Sequence, residues 1–518
     1  MLGILRSRFQ GDLGNEMMAS IVVFLVALPL CLGISVASGV PPTAGLITGV
    51  IGGIVVGTLA GSPLQVSGPA AGLTVLVWQI VQHYGVPMLG VIVLLAGLMQ
   101  LAAGLMKLGQ WFRAVSPAVI HGMLAGIGIL ILASQFHVML DAKPIGNGID
   151  NLFAIPAALG HAFSMGGKPV HAFGIGAMTV VVIVLWSSFA PKKLKILPAP
   201  LVAVAAAVAV CSTLGLKINY IPDLLKNPSD INNIWSVIQY PTLESLRRVF
   251  DTDVLMASAS VAFIASAETL LCATAVDQMH QGPRTKYDQE LSAQGVGNML
   301  CGLCGVLPMT GVIVRSSANV DAGSKTRLSA ILHGVWLVVF VAVLPFTLRY
   351  IPVASLAGLL VFTGYKLAYP KVVPKLLHYG KTEATIYLAT IAMIVATDLL
   401  EGVLFGLLLS ILKLLYVFSH LEIRVENNPQ ERFVALHLKG AATLVRLPLL
   451  AAELGKIPPG TEVRVYFEEL EYIDHACLDL LTNWERQHET TGGNLEIEWE
   501  ELSWRYHRRR NKAKAAAG

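Results

Sequence analysis

Charge is scarce in this chain: Asp, Glu, Lys and Arg make up 14% of its 518 residues, against 54% hydrophobic types. Mean hydropathy is +0.65, so a soluble globular domain of this length is excluded. Cysteine is equally sparse. Cys31, Cys211, Cys272, Cys301 and Cys304 lie in apolar segments and only Cys477 does not, a distribution that excludes a disulfide framework. The pair in 301-CGLC-304 has no second ligand pair and sits in a glycine-rich apolar run, so it reads as helix packing rather than a redox or zinc site. Alternating segments of a membrane β-barrel are missing as well. A net charge of +4 carries no signature of a nucleic-acid partner. The start, MLGILRSRFQGDLGNEMMAS, has two arginines but no short apolar run ending at small residues, so a retained first span is expected rather than a removable signal peptide.

What the chain does have is long apolar runs, such as 19-ASIVVFLVALPLCLGISVAS-38, 88-MLGVIVLLAGLMQLAAGLM-106 and 329-SAILHGVWLVVFVAVLPF-346. Each approaches the roughly 20 residues that cross a hydrocarbon core as a helix. The expected fold class is an α-helical polytopic membrane protein. Fourteen apolar segments begin near residues 16, 43, 69, 88, 117, 171, 198, 252, 290, 311, 328, 354, 382 and 400. Lys107, Arg113, Lys192, Lys193, Lys195, Arg284, Lys286, Lys325, Arg327, Lys371, Lys375 and Lys381 all follow even-numbered spans. Positive charge stays in the cytoplasm, so a plasma (inner) membrane protein with both termini cytoplasmic is expected. The segment from about 216 to 250 falls outside and carries Lys217, Lys226, Arg247 and Arg248, against the trend.

Domain boundaries follow from composition. Residues 1–420 form the membrane domain, with halves at about 16–215 and 252–419. From 421 to 505 the chain changes character: 421-LEIRVENNPQERFVALHLKGAATLVRL-447 alternates as strands do, 461-TEVRVYFEEL-470 reads as a buried strand and 475-HACLDLLTNWERQH-488 as an amphipathic helix, a small cytoplasmic α/β domain. Residues 506–518 are a basic, disordered tail.

Two segments interrupt the apolar pattern in the same way. Both 66-VSGPAAGLTVLV-77 and 307-LPMTGVIVRSSANV-320 open with proline and small residues before a short helical run, and both come third in their half. Seven spans followed by seven place the second half upside down, so two short helices can begin near mid-membrane and face each other. Their unpaired N–H groups, with roughly half a positive charge at each start, make an anion site without a charged side chain. Ala70, Ala71, Gly311 and Val312 would let backbone amides approach the ligand, and Arg315 adds positive field. Burying that arginine costs roughly 2.5 to 3.5 kcal/mol on insertion scales, so it should face a cavity or a partner. The competing reading is that these glycines and prolines only permit close helix packing.

Glu268, in 261-VAFIASAETLLCATAV-276, is the other costly residue. It can be a coupling-cation ligand, a proton carrier or a salt-bridge partner of Arg315, with Cys272 one turn on and Thr310 on the facing helix start. Asp277 and His280 lie nearer the cytoplasm, where solvation accounts for them, and His121 and His137 read as packing histidines.

At these residues the sequence resembles the sulfate permease (SulP, solute carrier 26) family of anion transporters. The similarity covers nearly the whole chain: 41-PPTAGLITGVIGGIVVGTLAGSPLQVSGPAAGLT-74, the ASAETLL segment, 310-TGVIVRSSANVDAGSKTRLSAILHG-334 and a tail similar to the STAS domain. The resemblance implies fourteen spans in a seven-plus-seven inverted repeat of core and gate domains, a homodimer, and elevator-type alternating access. It implies an anion site at Ala70, Ala71, Gly311 and Val312, with Arg315 at the family's basic position and Glu268 at its acidic one. Where many members carry a Pro-Gln pair, 27-ALPLCLGI-34 has Pro29, Leu30 and Cys31, similar to the bicarbonate-transporting branch; Pro29, Cys31 and Ser67 are the supporting residues. That branch has an aspartate and a threonine at its sodium site, where this chain has Glu268 and Cys272, so both Na+ and H+ stand as coupling ions and no other cofactor is expected. In the tail, 472-YIDHACLDLL-481 offers His475 and Ala476 after Asp474, not the phosphorylatable serine of related domains. An assembly or partner-binding module is expected there.

The expected function is secondary transport of a small inorganic anion, bicarbonate first and sulfate or another oxyanion or dicarboxylate second. An anion channel could use the same residues. A nucleobase carrier would place a carboxylate near the tenth helix, where this chain is apolar or basic. An enzyme is not expected, because no nucleophile-base pair or zinc set emerges.

Overall fold

Lipid offers no hydrogen-bond partner to a backbone, so apolar segments close their own bonds as helices. The computed structural model describes residues 13–110, 116–145, 148–191, 194, 197–224, 238–368, 372–428 and 433–497. Arg113, Lys192, Lys193, Lys195, Lys226, Lys371 and the basic end 506–518 lie outside them. Two units are distinguished, Met1–Leu407 and Leu408–Gly518.

The first unit is helical. In chain order it contains α1 (Leu13–Ala37), α2 (Pro42–Leu59, with a π turn at Gly52–Val56), strand β1 (Ser67–Pro69), α3 (Thr74–Tyr84), α4 (Val86–Leu105), α5 (Pro117–Met139), α6 (Gly148–Met165), α7 (Lys168–Phe189) and α8 (Ala199–Leu214). After the short α9 (Leu243–Arg247) come α10 (Thr252–Met279), α11 (Tyr287–Leu303), strand β2 (Met309–Gly311), α12 (Ile313–Asp321), α13 (Leu328–Val343), α14 (Val353–Ala368), α15 (Val372–Tyr379), α16 (Lys381–Ala396) and the first part of α17 (Leu399–Ser419). Seven of these, α1, α2, α4, α5, α7, α10 and α17, are long and apolar enough to cross a membrane. Helices begin close to the expected positions, except that 69 and 311 fall on strands. α6 was not expected: Asp150, Asn151 and Pro156 break its apolar run.

Helix α1 packs on both sides of the bundle, against α2 and α13 and also against α14. α4 lies against α11, while α14 packs on α5 and α7 and α16 on α5. The close contacts use small residues. A Cβ on Gly90 or Gly97 of α4 would strike the backbone of Gly302 or Met299 on α11, and Gly128 and Gly176 meet Gly364 and Gly358 of α14 in the same way. Cys301 is buried in α11 and Cys304 caps its end, consistent with a packing role. At the start of α13, the buried Glu16 of α1 accepts from Lys325 N (2.8 Å), Thr326 N (2.9 Å), Ser329 N (3.1 Å) and Ser324 Oγ (3.0 Å), so one carboxylate satisfies donors that a helix start leaves free.

In the second unit the last part of α17 leads into a four-stranded sheet of order β3-β4-β5-β6: Leu421–Asn428, Phe433–Ala442, Glu462–Ile473 and Asn494–Ile497. β3 and β4 are antiparallel; β4, β5 and β6 are parallel. Helices α18 (Leu447–Leu454) and α19 (His475–Glu489) close a core that includes Leu436, Val463, Val465, Cys477 and Leu481. The alternating and amphipathic stretches of the tail thus form the strands and helix expected of them. Asp474 caps α19, its Oδ1 accepting from Cys477 N at 2.9 Å and its Oδ2 from Leu444 N. Burial alone would raise this carboxyl, but the amides of Cys477, Leu444 and Ala476 outweigh it and hold it below the usual range. A depressed carboxyl stabilises the fold above its unfolded pKa and loses that contribution as pH falls through the folded value. Asp474→Ala should cost about 1 kcal/mol of helix stability, seen as faster amide exchange over 475–478 in the intact protein; unchanged exchange would mean the cap contributes nothing.

Candidate anion-binding site

Both interruptions noted in the sequence are strands, and they pair with each other. β1 and β2 run antiparallel with Ser67 opposite Gly311, Gly68 opposite Thr310 and Pro69 opposite Met309, and Val312 N donates to Val66 O at 2.9 Å. Because the strands are antiparallel, the helices that follow them leave in opposite directions from adjacent starts. Neither start is capped by a side chain: Ala70 precedes a 3-10 turn at Ala71–Leu73 that leads into α3, and Val312 precedes α12. Gly311 N is taken by Thr269 Oγ1 and Val312 N by Val66 O, so the donors without a cap are those of the helical turns beyond them.

A cavity of about 530 Å³ reaches these starts, lined there by Ala71, Gly72, Gly311, Val312, Glu268 and Cys272 and on its far side by Ile120, His121, Thr363 and Leu376. Of the five residues expected at the anion site, Ala71, Gly311 and Val312 line the cavity and Ala70 and Arg315 do not. Ala70 is buried behind them. His121, expected as a packing residue, faces the same space.

The Glu268 carboxylate lies against the Gly72 amide and the Thr310 side chain, and its buried Oε2 has no hydrogen-bond partner. A Cβ at position 72 would stand 2.7 Å from that oxygen, so glycine is what permits the approach. Thr310 Oγ1 itself bonds only weakly to Gly311 O at 3.4 Å. Cys272 lies 3.7 Å from Ser316 Oγ.

Arg315 is fully buried and sits behind the strand pair rather than in the cavity lining. Its Nη2 donates to Cys31 Sγ at 3.3 Å, its Nη1 lies over Gly68, where any Cβ would overlap it, and neither Nε nor Nη1 has a hydrogen-bond partner. Among the described residues no salt bridge joins it to Glu268, so of the three roles open to that acid the packing bridge has no geometric basis here. Pro29 is buried in α1 beside Cys31, and Ser67 Oγ accepts from Gln294 Nε2 at 2.6 Å. Asp277, expected to be solvated, is buried and accepts from Thr285 N and Oγ1; the turn after α10 folds back over it. His137 is a packing histidine bonded to Asn151 O at 2.9 Å.

The residues that hold the strand pair were not singled out in the sequence. Glu290, Gln294 and Asn298 lie on one face of α11, four residues apart. Glu290 accepts from Ser62 N (2.8 Å), Gln294 bonds both Glu290 and Ser67, and Asn298 receives Met309 N (2.7 Å) while donating to Met309 O (3.0 Å). On the other flank Thr269 Oγ1 accepts from Gly311 N and Ser316 Oγ from Val66 N. Polar residues at i, i+4 and i+8 in an otherwise apolar helix were the available signal. Gly311 also has a packing reason to be glycine, because a Cβ there would overlap the Gln65 amide.

Two broken helices joined by a buried strand pair, within a bundle of membrane-crossing helices, define a helical polytopic membrane transporter. The chain belongs to the sulfate permease family, whose sequence model matches residues 13–390. A Bacillus subtilis (strain 168) protein named "Putative sulfate transporter YvdB" is 31% identical over 412 residues, 78% of this chain and 73% of that protein. The solved transmembrane domain of a cyanobacterial bicarbonate transporter, BicA, is similar at a TM-score of 0.63 and 26% identity, covering 78% of this chain and 98% of that one. Murine solute carrier 26 family member A9, solved in an inward-facing state, has a TM-score of 0.72 at 14% identity over 94% of this chain and 86% of its own, a likeness of fold. The family consists of anion transporters rather than enzymes.

Replacing Asn298 with Leu would leave Met309 N and O without partners, at about 1–3 kcal/mol for each buried group. Thermal unfolding of the purified protein should shift down; an unchanged Tm would show that the asparagine does not hold the strands.

Proposed function

We propose that this chain is a secondary active transporter of a small inorganic anion, bicarbonate in the first place, bound where the starts of α3 and α12 meet. The observation that carries the reading is the antiparallel pairing of β1 with β2, which brings two uncapped helix starts to one cavity. Ala71, Gly311 and Val312 wall the cavity beside the first turns of α3 and α12, whose amides face the ligand, and Ala70, Ser67, Pro29 and Cys31 support them. Arg315 adds positive potential from behind Gly68 without touching the anion. A site made of peptide dipoles and one remote charge suits a small monovalent anion, and BicA is named as a bicarbonate transporter. Sulfate or another oxyanion is the second reading, favoured by the name of the Bacillus subtilis relative.

Glu268 is the coupling residue in this reading. Its partnerless oxygen beside the Thr310 hydroxyl fits Na+ or H+, and Cys272 closes the same corner. A cation or proton there removes a negative charge from the Gly72 amide and leaves that helix start free for the anion, which links the two by linkage. The fourteen helical segments act as a seven-plus-seven inverted repeat, with α1–α4 and α10–α13 as the moving core and α5, α7, α8, α14, α16 and α17 as the gate of an elevator. From the strand pair the cavity extends to Pro117 and Gln278, whereas further along α5 only a hollow of about 20 Å³ separates Val75 and Trp78 from Leu130 and Ser134. With both termini cytoplasmic in the plasma membrane, this is the inward-open arrangement. Residues 421–505 act as a STAS-like module that assembles a homodimer or binds a cytoplasmic partner.

Reconstituted vesicles with Na+ and pH gradients imposed separately test this reading. Labelled bicarbonate should accumulate; accumulation of sulfate alone favours the second reading, and currents beyond carrier turnover indicate a channel. Ala71→Leu adds bulk on the cavity side and should lower uptake by more than about tenfold, ~1.4 kcal/mol, with insertion intact; normal uptake would remove the site from this position. Glu268→Gln should abolish gradient-driven accumulation while exchange persists, and an unaltered response to both gradients would leave the acid without a coupling role.

A further inference from the structure

We propose that the turn 443–446 of the tail unit is seated in the interfacial layer of the bilayer, so that the α/β domain rides on lipid instead of hanging free in water. This inference concerns the tail and stands whether or not the anion reading holds. α17 is long and apolar enough to cross a membrane and ends at Ser419. Within the tail unit its residues Ile411, Leu412, Leu414, Leu415 and Phe418 are exposed, as a lipid-facing surface is. Tyr416 stacks on His420 at 5.0 Å, the kind of ring with one apolar and one polar side that collects at a membrane surface.

The sheet returns to this helix end. Ala441 N donates to His420 O at 3.0 Å, and Gly440 lies opposite Leu421, so β4 finishes where α17 finishes. Arg446 Nε then donates to the carbonyl of Ser419 itself, and Phe418 meets Tyr472 edge-on at 6.3 Å. Between these ties the sequence is 443-TLVRLPLL-450. Leu444 is 64% and Val445 71% exposed, and the Asp474 cap holds Leu444 N in place. A turn fastened to the last residue of a span lies at the depth of the headgroups, and its apolar side chains continue the lipid-facing surface of α17. The opposite end of the domain has a different character: Thr490, Thr491 and Gly492 there are exposed and polar or small. An apolar lip at the helix end and a polar rim away from it is the asymmetry a membrane-seated domain requires.

Nitroxide labels at Leu444→Cys and Val445→Cys, in the full chain reconstituted into vesicles, test the proposal. Thr490→Cys serves as the aqueous reference, and the unsubstituted protein supplies the background from native thiols. Oxygen, which partitions into lipid, should relax the labels at 444 and 445 more than a water-soluble nickel chelate does, with the order reversed at 490. Nickel accessibility equal to that at 490 overturns the proposal, because the turn is then in water. Exclusion of both relaxers overturns it too, because the turn is then covered by protein, such as a second copy of the chain. The two label positions are independent, so misfolding of one variant leaves the other to decide.

Discussion

Every structural choice around the centre of this molecule answers one requirement: a backbone that leaves the helix inside a membrane must find hydrogen bonds from protein, since lipid supplies none. The strand pair of Ser67–Pro69 with Met309–Gly311 meets that requirement in the fewest residues. Three residues from each half pair, Asn298 and Thr269 take backbone groups of Met309 and Gly311, and the helices beyond them start in mid-protein without a side-chain N-cap. The interruption and the two mid-protein helix starts are therefore the same feature. A continuous helix at either place would carry no free donors.

That solution needs support from side chains, because a three-residue pairing is too short to hold itself. Asn298 grips Met309 through both its amide atoms, and Gln294 and Glu290 extend the grip along α11 to Ser67 and Ser62. Each member of this buried network bonds to the strands or to a residue that does, and Gln294 Oε1 is the atom of Gln294 left without a partner. The close glycine contacts between α4 and α11 bring this face near enough for short side chains to reach.

The two buried charges are kept on different sides of the strand pair. Arg315 stands behind Gly68 with Cys31 as its one hydrogen-bond partner, and Glu268 stands in front beside Gly72 and Thr310. Direct pairing would have cancelled both charges and left a neutral site. Separation keeps the guanidinium behind the helix starts and the carboxylate in front of them. Gly68 and Gly72 are the positions where a side chain would forbid this, one by overlapping the guanidinium and the other the carboxylate.

Hydropathy and spacing by themselves determined the membrane-embedded helical class, the approximate starts of the helices, the change to an α/β tail near residue 420 and the two interruptions, because lipid imposes a length and an apolarity that any single sequence must display. Ala71, Gly311 and Val312 were legible as small residues at a helix start. The tertiary structure alone decided that the interruptions are paired strands, that Arg315 lies behind them and apart from Glu268, that Asp277 is buried, and that Glu290, Gln294 and Asn298 do the holding. Those facts depend on which side chains meet in the fold, some across more than 200 positions as Glu290 meets Ser62 and Arg315 meets Cys31, and a period along one helix reveals the face a residue occupies but not the partner that face will find.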